Sequence, residues 1–595
     1  MDESDPVDPI LYDFDEDIAF EQGDDLSNDE DEENYGCAPG SVDFGQISRV
    51  FPPCPRRTHF GERADMHWRA SLRSFGTNPT LATNYDYFMH FFDRDFFVNV
   101  LLACTQAAAP SLQITEDELW TFLAIRMIIS CHPYVAVPEF FSLHQRTVLK
   151  SAPYLGDYMK ALRFNQINEA LRTAPPSDGG RPDKFYLVRP MLESWQRHQN
   201  TYGIIPSYIC CTDESMMEWL NKRAPGWQFV HRKPMPWGNL FHVCACASSC
   251  VIFSLELFEG RDRPPWKPME EFEDLFNTNS ANKTKVGGLI LRMAKPLFNT
   301  GSIVVHDSGF QCIPALKELD KNGVFASMLC KKKRYHPRFT DGAANSAFLA
   351  QQDFLVSFHK RMQFEDFNWQ MNMYRDTHHH VQLASSYGSG EEADRERIRF
   401  HPINGSKLKF NHVDAVEDYF FARSAVDEHN KIRQGGISFE QGWQTKKWHI
   451  RMFAFLVGIS ETNAKNAAST FRDVPKGQSV SLLEFRLSIA QRLLDIHAAQ
   501  KRAPARKAAR ELRDLNGEHH LATIPVGCGR YTGKRDRDHI DGFKKLNSSR
   551  KSHAYQCQLC KCGKQIRQYC LCNPAQPLCI ECYAEHRVQV ALGMQ

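Results

Sequence analysis

Two short apolar runs that each end near an aspartate constrain the fold of this chain more than any other feature. In "GSIVVHDSGF" the run 302–305 leads to Asp307, and in "SYICCTDESM" the run 208–211 leads to Asp213. Such short apolar runs are typical of buried strands. If the two strands are parallel neighbours, both carboxylates lie at one end of the same sheet, where open α/β sheets place their sites.

Two carboxylates a few ångströms apart repel each other unless a divalent cation lies between them. Oxygen ligands suit Mg²⁺ or Mn²⁺, which keep room for water and for substrate phosphates. A pair of such ions can support phosphodiester chemistry by activating an attacking hydroxyl and stabilising a leaving oxygen. The two aspartates alone leave an alternative open, in which each acid caps the turn or helix that follows it.

Charge is distributed unevenly along the chain. Residues 2–33 contain sixteen acids and no Lys or Arg, which leaves about +17 on the remainder, since the whole chain carries +1. An acidic segment with few aliphatic residues cannot bury enough apolar surface to fold, so we expect residues 1–50 to be disordered. The basic remainder fits an anionic partner, although an evenly solvated basic surface would give the same count.

The apolar residues and cysteines indicate the compartment. The chain has no run of about 18 apolar residues and no basic N-terminal segment followed by an apolar core, so we expect neither a membrane span nor a secretory signal. In a reducing compartment the nineteen cysteines are not expected to form disulfides. Twelve of them are scattered as small buried residues would be, and seven lie within residues 557–582.

The cysteine cluster near the C-terminus predicts zinc. Thiolate pairs two residues apart can bind one Zn²⁺ tetrahedrally, and a region this short would take its folding energy from the metal. The alternative is a set of free thiols on a disordered tail. The candidate ligands are Cys557, Cys560, Cys562, Cys570, Cys572, Cys579, Cys582, His553 and His586.

Periodicity predicts helices before residue 204 and strands after it. "ITEDELWTFLAIRMIIS" begins with Thr115 and Glu118 in a capping box, and residues 184–203 are amphipathic. "FHVCACASS" and "CVIFSLELFEG" are typical of adjacent strands. Residues 331–410 are polar and are expected to be irregular, and helical patterns return after residue 411.

Several motifs in a fixed order resemble those of the piggyBac-type DNA transposases and their domesticated descendants. The similarity is carried by "MKALRFNQINEALR", "TDESMMEW", "RKPMPWGNLFHVCACASSCVIFSLELFEGRD", "VVHDSGFQCIPALKEL" and "VDEHNKIRQGGISFEQGWQTKKWHIRMFAFLVGISETNA". It runs from about Tyr85 to the last residues. The resemblance implies an α/β protein with an RNase H-like catalytic core, in which helices flank a mixed sheet, together with a helical N-terminal region and a small cysteine-rich zinc-binding domain.

The resemblance also implies a catalytic triad of Asp213, Asp307 and Asp427 that holds two Mg²⁺ or Mn²⁺ ions. Pattern alone does not select Asp427 from the other acids of its segment. The family commonly has a further acid three residues later, where this chain has Asn430, which can orient a water but carries no charge. The other acids of the segment are Asp414, Glu417, Asp418 and Glu428.

By the same resemblance, a cross-brace arrangement pairs the zinc ligands. One ion would be held by Cys557, Cys560, Cys579 and Cys582, and the other by Cys570, Cys572, His586 and either Cys562 or His553. The expected regions are an acidic tail (1–50), a linker (51–84), a helical dimerisation and DNA-binding region (85–203), the first part of the core (204–330), an insertion (331–410), the second part of the core (411–470), a helix with a basic linker (471–552) and the zinc-binding domain (553–590).

The expected function is cut-and-paste DNA transposition by a nuclear homodimer. Its partner would be double-stranded DNA, as transposon ends and a TTAA-type target, with no membrane involved. One alternative is a domesticated, catalytically silent DNA- or chromatin-binding protein that retains the fold. A further alternative is that the zinc-binding domain carries the main function by binding a protein or histone tail.

Overall fold

The computed structural model describes the larger part of the chain. The described residues are 42–48, 68–142, 152–175, 183–231, 233–260, 270–276, 285–330, 341–364, 366–376, 379–388, 392–401, 404–472 and 479–498, with short strands at 521–523, 555–556, 565–566, 568–570 and 576–577. Residues 1–41 of the predicted disordered tail (1–50), and most of the predicted basic linker and zinc-binding domain, therefore lie outside the described residues. The expectation of disorder is wrong for Val42–Ser48, which form a strand of the large sheet.

Within the described residues, most of the helices lie before residue 204 or after residue 413. A π-helical turn at Phe96–Leu101 leads directly into the second of them. The helices are α1 (Asn84–Phe91), α2 (Leu102–Ala108), α3 (Glu116–Ser130), α4 (Ala161–Ala170), α5 (Arg189–Thr201), α6 (Lys285–Ala294), α7 (Ile313–Lys321), α8 (Gly342–Leu349), α9 (Asp414–Ala422), α10 (Ala425–Arg433), α11 (Phe439–Gly442), α12 (Trp448–Phe471) and α13 (Leu482–His497).

The strands lie mainly between residues 204 and 413. They are β1 (Val42–Ser48), β2 (Ser71–Leu72), β3 (Ile204–Ile205), β4 (Ile209–Glu218), β5 (Trp227–Phe229), β6 (Trp237–Cys246), β7 (Ile252–Leu257), β8 (Ile303–His306), β9 (Phe325–Cys330), β10 (Ser357–Phe364), β11 (Phe367–Arg375), β12 (His380–Ser385), β13 (Glu392–Phe400), β14 (Lys407–Val413), β15 (Leu521–Thr523), β16 (Tyr555–Gln556), β17 (Gln565–Ile566), β18 (Gln568–Cys570) and β19 (Gln576–Pro577).

The chain divides into two compact units, Met1–Leu494 and Asp495–Gln595. The first contains a ten-stranded mixed sheet in the order β1-β10-β11-β12-β9-β8-β4-β6-β5, with β7 paired to β6. Its β4, β8 and β9 are parallel, and the other pairs are antiparallel. In the second unit, β15, β18 and β19 form one small sheet and β16 pairs with β17.

The centre of the large sheet is covered by helices. Every residue of β8 and nearly every residue of β4 and β6 is buried, and each of these strands contains a run of apolar residues, as is typical of strands covered on both faces. Helices α9 and α10 pack on β4, α7 packs on β9, and α6 packs on β6 and β7. The mixed α/β architecture expected from the sequence is confirmed. Within the described residues, no helix is both long enough and apolar enough to cross a bilayer.

Helices on the N-terminal side follow their local signals. The predicted capping box is present at α3, where the Thr115 side chain accepts a hydrogen bond from the backbone of Glu118 and the Glu118 side chain accepts one from Thr115. The helix predicted over 184–203 is shorter, beginning at Arg189, because a Pro at its start favours the first turn there. Helix α12 is fixed to the sheet by Asn463, whose amide bonds both the N–H and the C=O of Ile252 in β7.

The expectation that residues 331–410 are irregular is wrong for much of that stretch. Strands β10, β11 and β12 extend the large sheet beyond β9, and β13 forms a hairpin with β14. Polar composition did not predict these strands because some of their polar side chains are buried and hydrogen-bonded. The Gln382 amide, for example, donates to the backbone carbonyl of Gly342 and to the hydroxyl of Ser346. Residues 331–340 lie outside the described part.

Candidate active site

Asp213 and Asp307 occupy matching positions on two parallel neighbours. Strands β4 and β8 are paired up to Thr212 and His306, and each aspartate is the next residue of its chain segment. Neighbouring strands lie about 4.8 Å apart, and residues in register on parallel strands point to the same face. The prediction that both acids lie together at one end of this strand pair is confirmed.

The sequence suggested that strand β4 ends near Asp213, but the strand is longer. It continues to Glu218 because its other edge is paired with β6, and the last residue pair of this ladder is Glu218 with Gly238. The polar residues Glu214 and Ser215 are buried within this longer strand. Asp213 therefore sits inside a rigid strand, at the level where pairing with β8 stops and that edge of β4 opens.

Helix α10 and the turn before it lie along the same strand. The Cys211 thiol donates to the backbone carbonyl of Arg423 at 3.7 Å. Four residues further along β4, the Ser215 hydroxyl donates to the side-chain oxygen of Asn430 at 2.7 Å. Because alternate residues of a strand share a face, Cys211, Asp213 and Ser215 all face this helical segment.

These contacts position the third aspartate. Asp427 precedes Asn430 by three residues, so both lie on one face of α10. The preceding turn contacts Cys211 and Asn430 contacts Ser215, so Asp427 is aligned with the part of β4 between those residues. That part contains Asp213.

The buried thiol of Cys211 is influenced by all three acids. Its pKa is raised well above the ordinary value, first by burial, and then by the negative charges of Asp213, Asp307 and Asp427 together with the neighbouring Cys244. The charges of all three carboxylates thus act on the same thiol. The carboxylates do not form a preassembled ligand set, since across the described residues no group of three or more His, Cys, Asp or Glu is arranged to hold a metal ion.

The carboxyl of Asp213 is buried and its pKa is perturbed. Asp213 is 8% exposed, and its pKa is raised to about 7. Burial is the largest cause; the charge of Asp307 adds to it, whereas Lys233 and a hydrogen bond from the backbone of Glu214 oppose it. A bound cation would favour the ionised carboxylate here, and carboxylate oxygens are the donors that Mg²⁺ and Mn²⁺ prefer. The residues present therefore fit the ions that the sequence resemblance implies.

Asp307 does not use its side chain to cap the next turn. It lies at the N-cap position of the 3₁₀ turn Ser308–Phe310, and its side chain makes no capping hydrogen bond there. The bond that closes this turn runs from the Phe310 N–H to the backbone carbonyl of Asp307. The capping alternative that the sequence left open is thus wrong for Asp307.

The side chain of Asn430 links α10 to β4 by a hydrogen bond. Its side-chain oxygen accepts from Ser215 and from the guanidinium of Arg433. Arg433 in turn donates to the backbone carbonyl of Met216 and is paired with Glu440, and both charged side chains are fully buried. The amide that replaces the family's additional acid therefore holds the helix that carries Asp427.

Lys233 is a charged residue of the site that sequence reasoning did not select. It lies between β5 and β6, with its ammonium nitrogen 3.9 Å from Asp213 Oδ1 and 3.8 Å from Glu214 Oε2. The signal available in the sequence was the Lys-Pro pair of "RKPMPWGN", directly before a strand that pairs with β4.

All but one of the predicted zinc ligands lie outside the described residues. Cys570 is the last residue of β18, which is described by its backbone alone. The zinc sites therefore stay a prediction. The remaining candidates lie outside the described residues: Cys557, Cys560, Cys562, Cys572, Cys579, Cys582, His553 and His586.

Comparison with known proteins gives two findings. The family model described as Transposase IS4 matches residues 83–465, which include all three aspartates. Among solved structures, the piggyBac transposase synaptic complex with hairpin DNA, determined by cryo-EM, is similar in fold, with a TM-score of 0.55 and 16% sequence identity. The match covers 84% of this chain and 98% of that one.

Proposed function

The chain belongs to the Transposase IS4 family, and from this premise we propose that it is a piggyBac-like transposase that cleaves and rejoins DNA strands at Asp213, Asp307 and Asp427. The observation that carries the proposal is the register of β4 with β8 combined with the contacts of α10 on β4. They support the proposal that three aspartates from distant parts of the chain act together on one face of the sheet.

The three carboxylates would hold a pair of Mg²⁺ or Mn²⁺ ions. Such ions supply charge neutralisation and polarisation of water and phosphate oxygens in phosphodiester cleavage. The role of the chain is to keep the carboxylates in place: Asp213 on a buried strand, Asp307 at the end of its neighbour, and Asp427 on the helix that Asn430 and Arg433 fasten to β4.

Double-stranded DNA is the proposed substrate, as transposon ends with a TTAA-type target. The similar solved structure is a transposase bound to hairpin DNA, and the chain after its acidic N-terminal segment carries about +17. Positive charge of this size favours binding to a phosphate backbone. Homodimeric assembly, a nuclear location and a zinc-bound C-terminal domain are further parts of the proposal.

A cleavage assay tests the proposal. The full-length chain is incubated with duplex DNA carrying the terminal sequences that flank its gene, with and without Mg²⁺. We expect Mg²⁺-dependent nicking that falls at least about 100-fold in Asp307→Asn and in Asp427→Asn, because loss of a ligand forfeits several kcal/mol of charge stabilisation.

Glu428→Gln is the matched control for these variants. Glu428 neighbours Asp427 on α10, but its side chain is about half exposed and lies near Lys431. The Glu428→Gln variant should cleave DNA at the same rate as the unmodified protein. Salt-dependent DNA binding without any nicking would contradict the proposal and would favour the catalytically silent DNA-binding alternative.

A further inference from the structure

The turn that carries Lys233 is closed by its own backbone. The N–H of Val230 donates to the carbonyl of Pro236 at 2.8 Å, and the N–H of Lys233 donates to the carbonyl of Val230 at 3.0 Å. Because this turn joins β5 to β6, and β6 is paired with β4, the position of the Lys233 backbone relative to Asp213 is set by the sheet.

The ammonium of Lys233 is turned onto β4. It donates to the backbone carbonyl of Glu214 at 3.2 Å and lies 3.9 and 3.8 Å from the carboxylates of Asp213 and Glu214. Its side chain is 17% exposed. Among the described residues, Lys233 provides the cationic nitrogen within 4.0 Å of Asp213.

The two carboxylate distances are longer than a charge-assisted hydrogen bond, which is usually about 2.7–2.9 Å. The ammonium is therefore held by the carbonyl of Glu214 and balances two carboxylates without binding either closely. Such an ammonium, on a flexible four-carbon side chain, can be displaced from Asp213 without breaking a short ion pair.

From this geometry we infer that Lys233 is the counter-ion of the metal-free site and competes with the divalent cation for Asp213. This inference rests on the proposed metal site. A divalent cation bound to Asp213 Oδ1 would lie within a few ångströms of the ammonium, and like charges at that distance repel strongly in a buried site. Lys233 thus weakens metal binding in the absence of substrate, and it must move when the cation binds.

Manganese binding in the absence of DNA tests the competition directly. Free Mn²⁺ is measured by electron paramagnetic resonance during titration of the full-length chain, and the binding that is lost in Asp213→Asn is assigned to this site. This subtraction removes Mn²⁺ held elsewhere, for example by the acidic N-terminal segment. We expect Lys233→Met to bind Mn²⁺ at this site at least about tenfold more tightly than the unmodified protein.

Two control variants separate charge from other effects. Lys233→Arg keeps the charge and should leave the Mn²⁺ affinity within about threefold of the unmodified protein. Lys222→Met removes the same charge from the segment before β5, where the ammonium lies 5.8 Å from the rings of Trp227 and Trp237, and should have no effect.

The possible results lead to different conclusions. Equal or weaker Mn²⁺ binding by Lys233→Met, with the Asp213-dependent binding of the unmodified protein intact, would overturn the inference and leave the proposed function standing. Absence of Asp213-dependent binding in every variant would instead reject the metal site on which the inference and the proposed function both depend.

Discussion

Replacing Asp213 by asparagine should stabilise the metal-free protein at alkaline pH. In the folded protein, burial is the main cause that raises the pKa of Asp213 from 3.8 to about 7. One pKa unit corresponds to about 1.4 kcal/mol, so ionising this carboxyl costs the folded state about 4 kcal/mol. The folded state binds the proton more tightly than the unfolded state, so stability is lost as the pH rises from about 4 to 7. Asparagine cannot ionise and avoids this loss.

Urea denaturation without added divalent cations measures the effect. The difference in unfolding free energy between Asp213→Asn and the unmodified protein should grow by about 3 kcal/mol between pH 5 and pH 8, in favour of the variant. Glu428→Gln, which changes a half-exposed acid, should show no such trend. The reasoning is refuted if Asp213→Asn is no more stable than the unmodified protein at pH 8, or if the difference does not depend on pH.

Three further predictions concern the buried charges and the C-terminal unit. Arg433→Met leaves the carboxylate of Glu440 buried without its ion-pair partner and should cost about 3–5 kcal/mol of unfolding free energy. The double variant Arg433→Met with Glu440→Met should recover most of this loss. If urea denaturation shows that the single and the double variant lose the same unfolding free energy, the pairing is contradicted. Burial lowers the pKa of His242, His306 and His429 to about 3. Because the unfolded state takes up these protons first, stability should fall below pH 6.5, by about 2 kcal/mol per histidine at pH 5; a flat pH profile would exclude this. Mass spectrometric metal analysis should find two zinc ions per chain, and a C-terminal unit that keeps its fold after zinc removal would reject the predicted sites.

Sequence reasoning located the first two aspartates because their signals are local. A short apolar run followed by an acid marks the end of a buried strand, and one such run lies before Asp307 and another before Asp213. The sequence made their proximity conditional on parallel pairing of the two strands, and the structure shows that pairing in the register of β4 with β8. The true length of β4 did not follow, because it depends on pairing with β6, whose partner residues lie twenty or more positions away.

Asp427 and Lys233 could not be selected as site residues from local sequence patterns. Asp427 lies on α10 with Glu428, whereas the other acids of the segment lie on α9. The position of α10 is set by contacts of Asn430 and Arg433 with β4, over two hundred residues earlier in the chain. Only the family resemblance selected it. Lys233 was not selected at all, because its importance lies in its distance from Asp213 across two strands.

Strands β10 to β12 show the limit of composition as a guide. Their polar residues are typical of loops, but inside the sheet these residues bond one another and adjacent backbone groups. The buried amide of Gln382, for example, is shared with Asn345 and Ser346 of α8. A pattern based on apolar residues cannot register such pairs, because the two partners are distant in sequence.

Anomalous X-ray scattering from manganese tests the central claim most directly. Crystals of the protein soaked in Mn²⁺ and measured at the manganese absorption edge should show anomalous density within about 2.5 Å of carboxylate oxygens of Asp213, Asp307 and Asp427. Density at other side chains alone, or a structure in which one of these three carboxylates lies too far away to share an ion with the other two, would contradict the account.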